Sequence, residues 1–416
     1  MNTASRPEPS EGGGPRIAVF THDAYGVGHV RRCLHIVQGL AAREPEAAML
    51  LVTGSPALEL LRTLPPNADY VKIPTIVTSG TQGTRPPVLP LGLAELSLLR
   101  RQVIRETVLS FAPDVFLVDN FPLGSRLELL PTLKELRRIG TRVALGLRDI
   151  ADPPDKVRRD WARAGIYEVL DRYYDRILIY GVPEVLDAGE AYALSARVAA
   201  KIRYCGYVTA ASASNGARDQ VRAELGVRGP LLLATVGGGG DGFPLLEAVL
   251  RAVPLVPDLT ALVVTGEFMS AVERDRLATL AGTRRDVLLR HYLRDLPTYM
   301  AAADVVVSMS GYNTTAEILA TGCPAVVVPR TWRSGEHAKR ERRAGSDAEQ
   351  LVRAKALADA GVVDLLNADG LSPETLAQRI TAALSQPRRS PNGTLNLRGQ
   401  ETVVRHLLDL ARPRER

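Results

Sequence analysis

LLLATVGGGGDGFPLLEAVL, residues Leu231 to Leu250, decides the architecture. Its first six residues are an apolar run of strand length. Gly237-Gly238-Gly239-Gly240-Asp241-Gly242 then breaks the run, and Leu245, Leu246, Val249 and Leu250 resume at helical spacing. Strand, glycine loop and helix is the opening unit of a doubly wound α/β domain. The same unit stands near the start of the chain, where Arg16 to Phe20 (RIAVF) runs into THDAYGVGHV and then into apolar spacing through Leu34, Val37 and Leu40. Between the two, strands are expected at Ala48 to Thr53, Val115 to Asp119, Arg142 to Leu147 and Arg176 to Tyr180. After the second come Ala261 to Thr265, Val287 to Leu289, Asp304 to Ser308 and Pro324 to Val328. Their alternation with helical segments implies two parallel sheets, each covered by helices.

A chain of 416 residues also exceeds the size at which one core stops growing. The expected organisation is a disordered tail over 1–14, an N-terminal domain over 15–208, a linker over 209–220 and a C-terminal domain over 221–400. Residues 401–416 form a last helix that can pack back on the N-terminal domain. The break is read from Thr209 to Gly216, a small, polar, weakly periodic stretch.

Composition narrows the function. No apolar run approaches the roughly 18 residues of a membrane span. The start, MNTASRPEPSEGGGPR, carries acids, Pro and Gly where a signal peptide needs apolar residues, so a cytoplasmic location is expected. Cys33, Cys205 and Cys323 are far apart and offer neither a metal spacing nor a disulfide framework. The net charge of +6 comes from 52 Lys and Arg mixed with 46 Asp and Glu, which argues against nucleic acid as a partner. The densest basic run, Lys339-Arg340-Glu341-Arg342-Arg343, is of the kind that ordinarily makes a solvated face. Peripheral contact with an anionic membrane, or a phosphate-bearing ligand, is its functional alternative.

Loops after strands carry the chemistry of such sheets. Glycines let the Gly237 to Gly240 backbone approach a diphosphate, and the following helix offers unpaired N–H groups and a positive dipole end. The loop also satisfies G-x-G-x-x-G, with Glu267 after the next strand where a dehydrogenase wants a ribose-binding acid. A second constellation is Ser310-Gly311-Tyr312-Asn313-Thr314-Thr315-Ala316-Glu317. Gly311 permits a tight strand-to-helix turn, Asn313 and Thr314 present amide and hydroxyl groups, and Glu317 is placed to accept hydrogen bonds from a ribose diol. Helix capping with a first-turn acid is the plainer reading of the same residues.

SGYNTTAEILATGCPAVVVP (Ser310 to Pro329), followed by Glu349-Gln350, resembles the nucleotide-sugar signature of GT-B glycosyltransferases. In particular it resembles glycosyltransferase family 28, which includes the peptidoglycan N-acetylglucosaminyltransferase, and a related group of bacterial predicted glycosyltransferases. Gly26-Val27-Gly28-His29 resembles that family's first glycine loop, and Gly237 to Gly242 its second. The resemblance implies two Rossmann-like domains facing each other across a cleft. It also implies that Glu317 binds the donor ribose, that Asn313 and Thr314 lie against the diphosphate with Gly238 to Gly240, and that Gln350, next to Glu349, reaches the donor sugar. Tyr292 and Leu293 would hold the base, with ordinary loop packing as the alternative reading. A uridine nucleotide and inversion are the family expectation. Three departures stand out: Met309 replaces the phosphate-binding histidine of plant-type relatives, Arg330 to Ala348 is long, and Tyr25 and Val27 are larger than in the peptidoglycan enzyme.

Transfer needs a base for the acceptor hydroxyl and stabilisation of the leaving diphosphate. Helix N-termini can supply the second without a metal, and no D-x-D motif stands in an obvious loop. His29, at the end of the first glycine loop, is the candidate base, since an imidazole accepts a proton near neutral pH. His22, Asp23, Asp119 and Asp149 also sit at strand ends; Asp119 and Asp149 are the acids expected to orient an imidazole or bind acceptor, unless they cap turns. His35 is read as structural. The expected function is sugar transfer from a nucleotide diphosphate sugar to an acceptor hydroxyl, with no cofactor beyond the donor. A nonhydrolysing nucleotide-sugar epimerase or a silent nucleotide-sugar-binding protein is the alternative. A dehydrogenase would leave Ser310 to Glu317 unexplained.

Overall fold

A computed structural model of the chain describes residues 13–21, 28–79, 83–85, 88–209, 215–330, 348–389 and 395–412. His22, Asp23, Tyr25, Gly26 and Val27, the basic run Lys339 to Arg343 and most of the expected tail lie outside the described residues. The chain divides into two units, Met1–Val208 with Arg398–Arg416, and Thr209–Leu397.

In the first unit β1 (Arg16–Thr21), β2 (Ala48–Thr53), β3 (Ala68–Lys72), β6 (Val115–Asp119), β7 (Arg142–Arg148), β8 (Arg176–Tyr180) and β9 (Ile202–Tyr204) form one sheet. A hairpin of β4 (Val77–Ser79) and β5 (Gly83–Arg85) stands outside it. The sheet order is β3-β2-β1-β6-β7-β8-β9, parallel throughout. Its central strands are continuous apolar runs because helices cover both faces. The helices are α1 (Gly28–Arg43), α2 (Leu93–Phe111), α3 (Leu130–Ile139), α4 (Pro154–Ala164) and α5 (Ile166–Tyr173), with single turns α6 (Ala188–Ala191) and α7 (Ala196–Ala199). Ile104 and Val108 of α2 and Leu133 and Leu136 of α3 share a core with Phe20, Phe116, Val118 and Leu145 of the sheet. The last helix, Gly399–Ala411, packs within this same unit. A Cβ on Gly39 would sit 2.9 Å from Gln400 Cγ, and the Gln400 amide donates to the His35 carbonyl.

The second unit repeats the plan with β10 (Leu231–Thr235), β11 (Thr260–Val264), β12 (Val287–Arg290), β13 (Val305–Ser308), β14 (Ala325–Val327) and β15 (Asp364–Leu365). The order is β12-β11-β10-β13-β14-β15, again all parallel. Its helices are α8 (Asn215–Glu224), α9 (Phe243–Ala252), α10 (Ala271–Ala281), α11 (Leu296–Ala302), α12 (Tyr312–Thr321), α13 (Ala348–Asp359) and α14 (Pro373–Leu384). Leu245, Leu246 and Val249 of α9 and Leu376 and Ile380 of α14 close one face of this sheet. Asp304, just before β13, anchors α8 to the sheet: it accepts from Arg218 at 2.6 Å, from Arg222 at 2.9 Å and from the Leu231 amide at 2.8 Å. Residues 215–220, read above as linker, are thus the first turns of α8.

Each sheet reverses its winding once. The switch lies between β1 and β6 in the first unit, where Thr21 pairs in register with Asp119. It lies between β10 and β13 in the second, where Thr235 pairs with Ser308. Crevices at the carboxyl ends of such strand pairs are where open α/β sheets take their ligands.

Candidate functional site

At the first switch point α1 opens with Gly28, putting His29 in its first turn and Arg32 three residues on, on the same helix face. Asp119, the last residue of β6, is fully buried. Its Oδ2 lies 2.6 Å from His29 Nδ1. Arg32, 2% exposed, donates to the same carboxylate through Nε at 3.1 Å to Oδ1 and through Nη2 at 2.9 and 2.8 Å to Oδ1 and Oδ2. Arg32 Nη2 also lies 2.9 Å from His29 Nδ1, but one nitrogen cannot both give and take a proton. A carboxylate only accepts, so Nδ1–H donates to Asp119 and the network assigns Nε2 as the basic nitrogen. Burial opposes charge on Asp119; the Arg32 guanidinium and the hydrogen bond from His29 outweigh it and hold the carboxyl below its usual range. Arg32 further stacks 5.1 Å from the centroid of buried Tyr180, and the His29 ring lies 6.3 Å from that of Phe121.

Asp149 directly follows β7. It is 1% exposed, and accepts from the Ile150 amide at 2.7 Å and the Tyr207 hydroxyl at 3.1 Å. His35 is half-buried, and burial together with Arg31 holds its pKa below the ordinary value.

In the second unit the glycine loop follows β10. Gly239 has φ +87°, and a Cβ there would lie 2.0 Å from the Thr265 carbonyl oxygen. Gly266, with φ +82°, meets the Gly237 carbonyl in the same way, at 2.4 Å. Phe268 N–H donates to the Gly238 carbonyl at 2.7 Å. Part of the glycine content is therefore required by packing of the loop after β10 against the loop after β11. Gly237, Gly238 and Gly240 remain exposed, and a Cβ on Gly237 would lie 4.0 Å from Thr314 Oγ1. The two segments expected to hold a diphosphate thus lie side by side.

Gly311 differs from Gly239. Its φ is −72° and a Cβ on it would meet nothing within 4 Å, so neither strain nor packing demands glycine there. It is the N-cap of α12, with no capping side chain; Gly242 caps α9 in the same bare way. Neither N-cap residue lends a side chain to the first turn of its helix, and the positive dipole ends of both helices lie at the switch point. The hydroxyls of Ser308, Ser310 and Thr315 are buried there without a protein hydrogen-bond partner. Glu317 is 7% exposed on the second turn of α12.

Glu349 and Gln350 open α13. Fully buried Arg353, one turn on, donates to Glu349 Oε1 at 2.9 Å and to the Ser310 carbonyl at 2.8 Å, and lies 5.8 Å from the Tyr312 ring centroid. Gln350 Oε1 accepts from the Arg330 amide at 3.0 Å, while the Arg330 side chain pairs with Asp241 of the glycine loop. Tyr292 and Leu293 follow β12, with Tyr292 39% exposed; His291 Nδ1 is 3.4 Å from Thr265 Oγ1. Glu267, the acid a dehydrogenase would use, is exposed. Arg32, Phe268 and Arg353 were not singled out from sequence. The spacing of Arg32 from His29 (i, i+3) and of Arg353 from Glu349 (i, i+4) is the signal that would have found two of them. Among the described residues no group of three or more His, Cys, Asp or Glu could hold a metal ion, and no helix is long and apolar enough to cross a membrane.

Two doubly wound units of this kind make the GT-B fold of glycosyltransferases and related enzymes. Acinetobacter baumannii MurG matches with TM-score 0.58 and 14% identity over 95% of this chain and 100% of its own. A putative UDP-N-acetylglucosamine 2-epimerase from Listeria monocytogenes matches with TM-score 0.61 and 14% identity over 94% of each chain. Within this fold, residues 233–398 match the glycosyltransferase family 28 C-terminal domain. Two curated relatives are UDP-N-acetylglucosamine--N-acetylmuramyl-(pentapeptide) pyrophosphoryl-undecaprenol N-acetylglucosamine transferases. That of Alkaliphilus metalliredigens is 28% identical over 160 residues, 38% of this chain and 40% of the relative. That of Rhodopseudomonas palustris is 31% identical over 170 residues, 40% of this chain and 43% of the relative. The chain thus matches less than half the length of these relatives.

Proposed function

We propose that the protein is a nucleotide-sugar-dependent glycosyltransferase whose second unit holds a uridine diphosphate sugar and whose first unit activates an acceptor hydroxyl. The observation that carries the reading is the β10/β13 switch point, where the exposed glycine loop meets Thr314, two helices start without capping side chains and a glycine that the protein itself does not require stands beside them. The match of residues 233–398 to a glycosyltransferase family 28 C-terminal domain supports the same assignment.

In this reading the diphosphate lies on Gly237, Gly238, Gly240, Ser310, Gly311, Asn313 and Thr314. Glu317 takes the ribose hydroxyls, Glu349 and Gln350 the sugar, and Tyr292 and Leu293 the base. The N-terminal ends of α9 and α12, with their positive dipoles, stabilise charge growing on the departing diphosphate. His29 Nε2 takes the proton of the acceptor hydroxyl as its oxygen bonds to the anomeric carbon and the bond to the diphosphate breaks, with inversion. Asp119, held ionised by Arg32, fixes the tautomer and stabilises the imidazolium that forms. Asp149, buried with the Ile150 amide and the Tyr207 hydroxyl on its carboxylate, is given no step in this reading.

A thermal-shift screen of nucleotide diphosphates and nucleotide sugars tests the donor half, because a ligand bound by the native state alone raises stability by mass action. Uridine nucleotides should give the largest shift. Product analysis then separates transfer from epimerisation: an epimer formed without any acceptor, or binding with no turnover against any acceptor, would replace this reading by one of the two alternatives.

A further inference from the structure

A groove of about 440 Å³ in the first unit is lined by Ala94, Ser97, Leu98 and Arg101 of α2 and by Arg126 and Leu127. The start of α2 faces the carboxyl edge of the sheet, because this helix runs back to deliver the chain into the amino end of β6. Arg126 and Leu127 stand on the segment that leaves Asp119 at the end of β6 and passes Phe121, whose ring neighbours His29. The groove is therefore at the same edge of the same sheet as the His29–Asp119 pair.

Its walls are built. Glu128, fully buried, takes Arg100 through two bonds of 2.7 and 2.8 Å and the Ser125 amide at 3.0 Å, clamping the loop onto α2. Arg126 and Leu127 both carry positive φ, 49° and 62°, a conformation that costs free energy and is kept where the surroundings impose it. Ser97 is 6% exposed, and its Oγ has no hydrogen-bond partner in the protein, nor has Arg101 Nε. No ion pair within the described residues neutralises Arg101 or exposed Arg126. Leu98 and Leu127, 51% and 45% exposed, supply apolar walls. Burying a hydroxyl and a guanidinium nitrogen unpaired is unfavourable unless something accepts from them, and guanidinium groups suit an oxyanion.

We propose that this groove binds a compact organic oxyanion, a phosphate or carboxylate joined to an apolar group, as the part of the acceptor that lies away from the reacting hydroxyl. Its role as an acceptor subsite rests on the transferase reading; anion binding in the groove does not. Arg101 and Arg126 face the oxyanion, Ser97 Oγ donates to it, and Leu98 and Leu127 cover the apolar part.

Calorimetric titration of the full chain with phenyl phosphate, benzoate, inorganic phosphate and benzyl alcohol tests it, with UDP titrated separately into the same samples. One of the two aryl oxyanions should bind with unit stoichiometry, and which one binds distinguishes phosphate from carboxylate. Benzyl alcohol and inorganic phosphate should bind at least tenfold more weakly. The Arg101→Gln/Arg126→Gln variant should lose at least tenfold in affinity for the oxyanion and keep its affinity for UDP. Ser97→Ala should raise the unliganded melting temperature and weaken the oxyanion several-fold, whereas a serine needed for folding would lower the melting temperature. Equal binding in wild type and double variant, equal binding of benzyl alcohol, or adsorption to anionic lipid vesicles without binding of either aryl oxyanion would overturn the proposal. Failure of UDP to bind would instead count against the donor reading.

Discussion

Replacing Arg32 by methionine removes the countercharge of a carboxylate with no solvent exposure while keeping much of the side-chain volume. Asp119 would lose three hydrogen bonds from the guanidinium, of 2.8 to 3.1 Å, and keep the bond from His29. Breaking a buried pair from one side costs about 3–5 kcal/mol, and the surviving His29 bond puts the expected loss near the lower figure, about 3 kcal/mol. The cost depends on pH with a definite sign. The Asp119 carboxyl is held below its usual range in the folded protein, so its contribution is fully present above the unfolded value of about 3.9 and is lost as pH falls through the folded value. The deficit of Arg32→Met should therefore be largest near neutrality and shrink below about pH 4. Adding Asp119→Asn should recover most of it, because removing both partners leaves no uncompensated charge. Urea unfolding followed by circular dichroism at pH 7 reads all three variants. An Arg32→Met protein within about 0.5 kcal/mol of wild type, or a double variant no more stable than the single one, would refute this account of the cluster.

His29→Ala should lower kcat by roughly 10²–10⁴-fold and leave UDP affinity unchanged; near wild-type turnover with the true acceptor would remove His29 from the chemistry. Gly239→Ala, with φ +87° and the Thr265 carbonyl oxygen 2.0 Å from its Cβ, should destabilise the second unit severely and yield little folded protein on expression. Glu317→Gln should weaken UDP by about ten- to a hundred-fold if its charged hydrogen bonds to ribose are lost, as calorimetry would show. His406 accepts from Arg176 Nη1 at 3.1 Å, and burial, with Arg176, lowers its pKa to about 4 from 6.5. The neutral ring is favoured in the folded state, so this part of the stability is present above pH 6.5 and is lost as pH falls toward 4. A His406→Gln variant should show a shallower decline over that window in urea midpoints.

Both glycine-led units and the parallel sheets were legible because buried parallel strands are continuous apolar runs. Val115 to Asp119 and Arg176 to Tyr180 fall on their strands residue for residue. Ala68–Lys72, Ile202–Tyr204 and Asp364–Leu365 were passed over. They are edge strands, partly exposed and short, so their apolar signal is weak. His29 and Asp119 were named separately, and the structure joins them through a pairing 90 positions apart in the chain. Arg32 was not named, since an arginine in a helix reads as solvated surface until its partner, 87 residues away, is known. The glycine loop teaches the converse. Its run of glycines was read as room for a phosphate, yet Gly239 is required by a neighbouring carbonyl, and only loop-to-loop packing, which no local pattern encodes, separates that glycine from Gly311.

Gly311 gives the most direct test of where the donor binds. Titrating UDP calorimetrically into wild type and Gly311→Val compares a site with and without side-chain atoms in space that the protein leaves open. The donor account predicts that the variant melts within a few degrees of wild type and binds UDP at least tenfold more weakly. A Gly311→Val protein that folds normally and binds UDP as wild type does would contradict it.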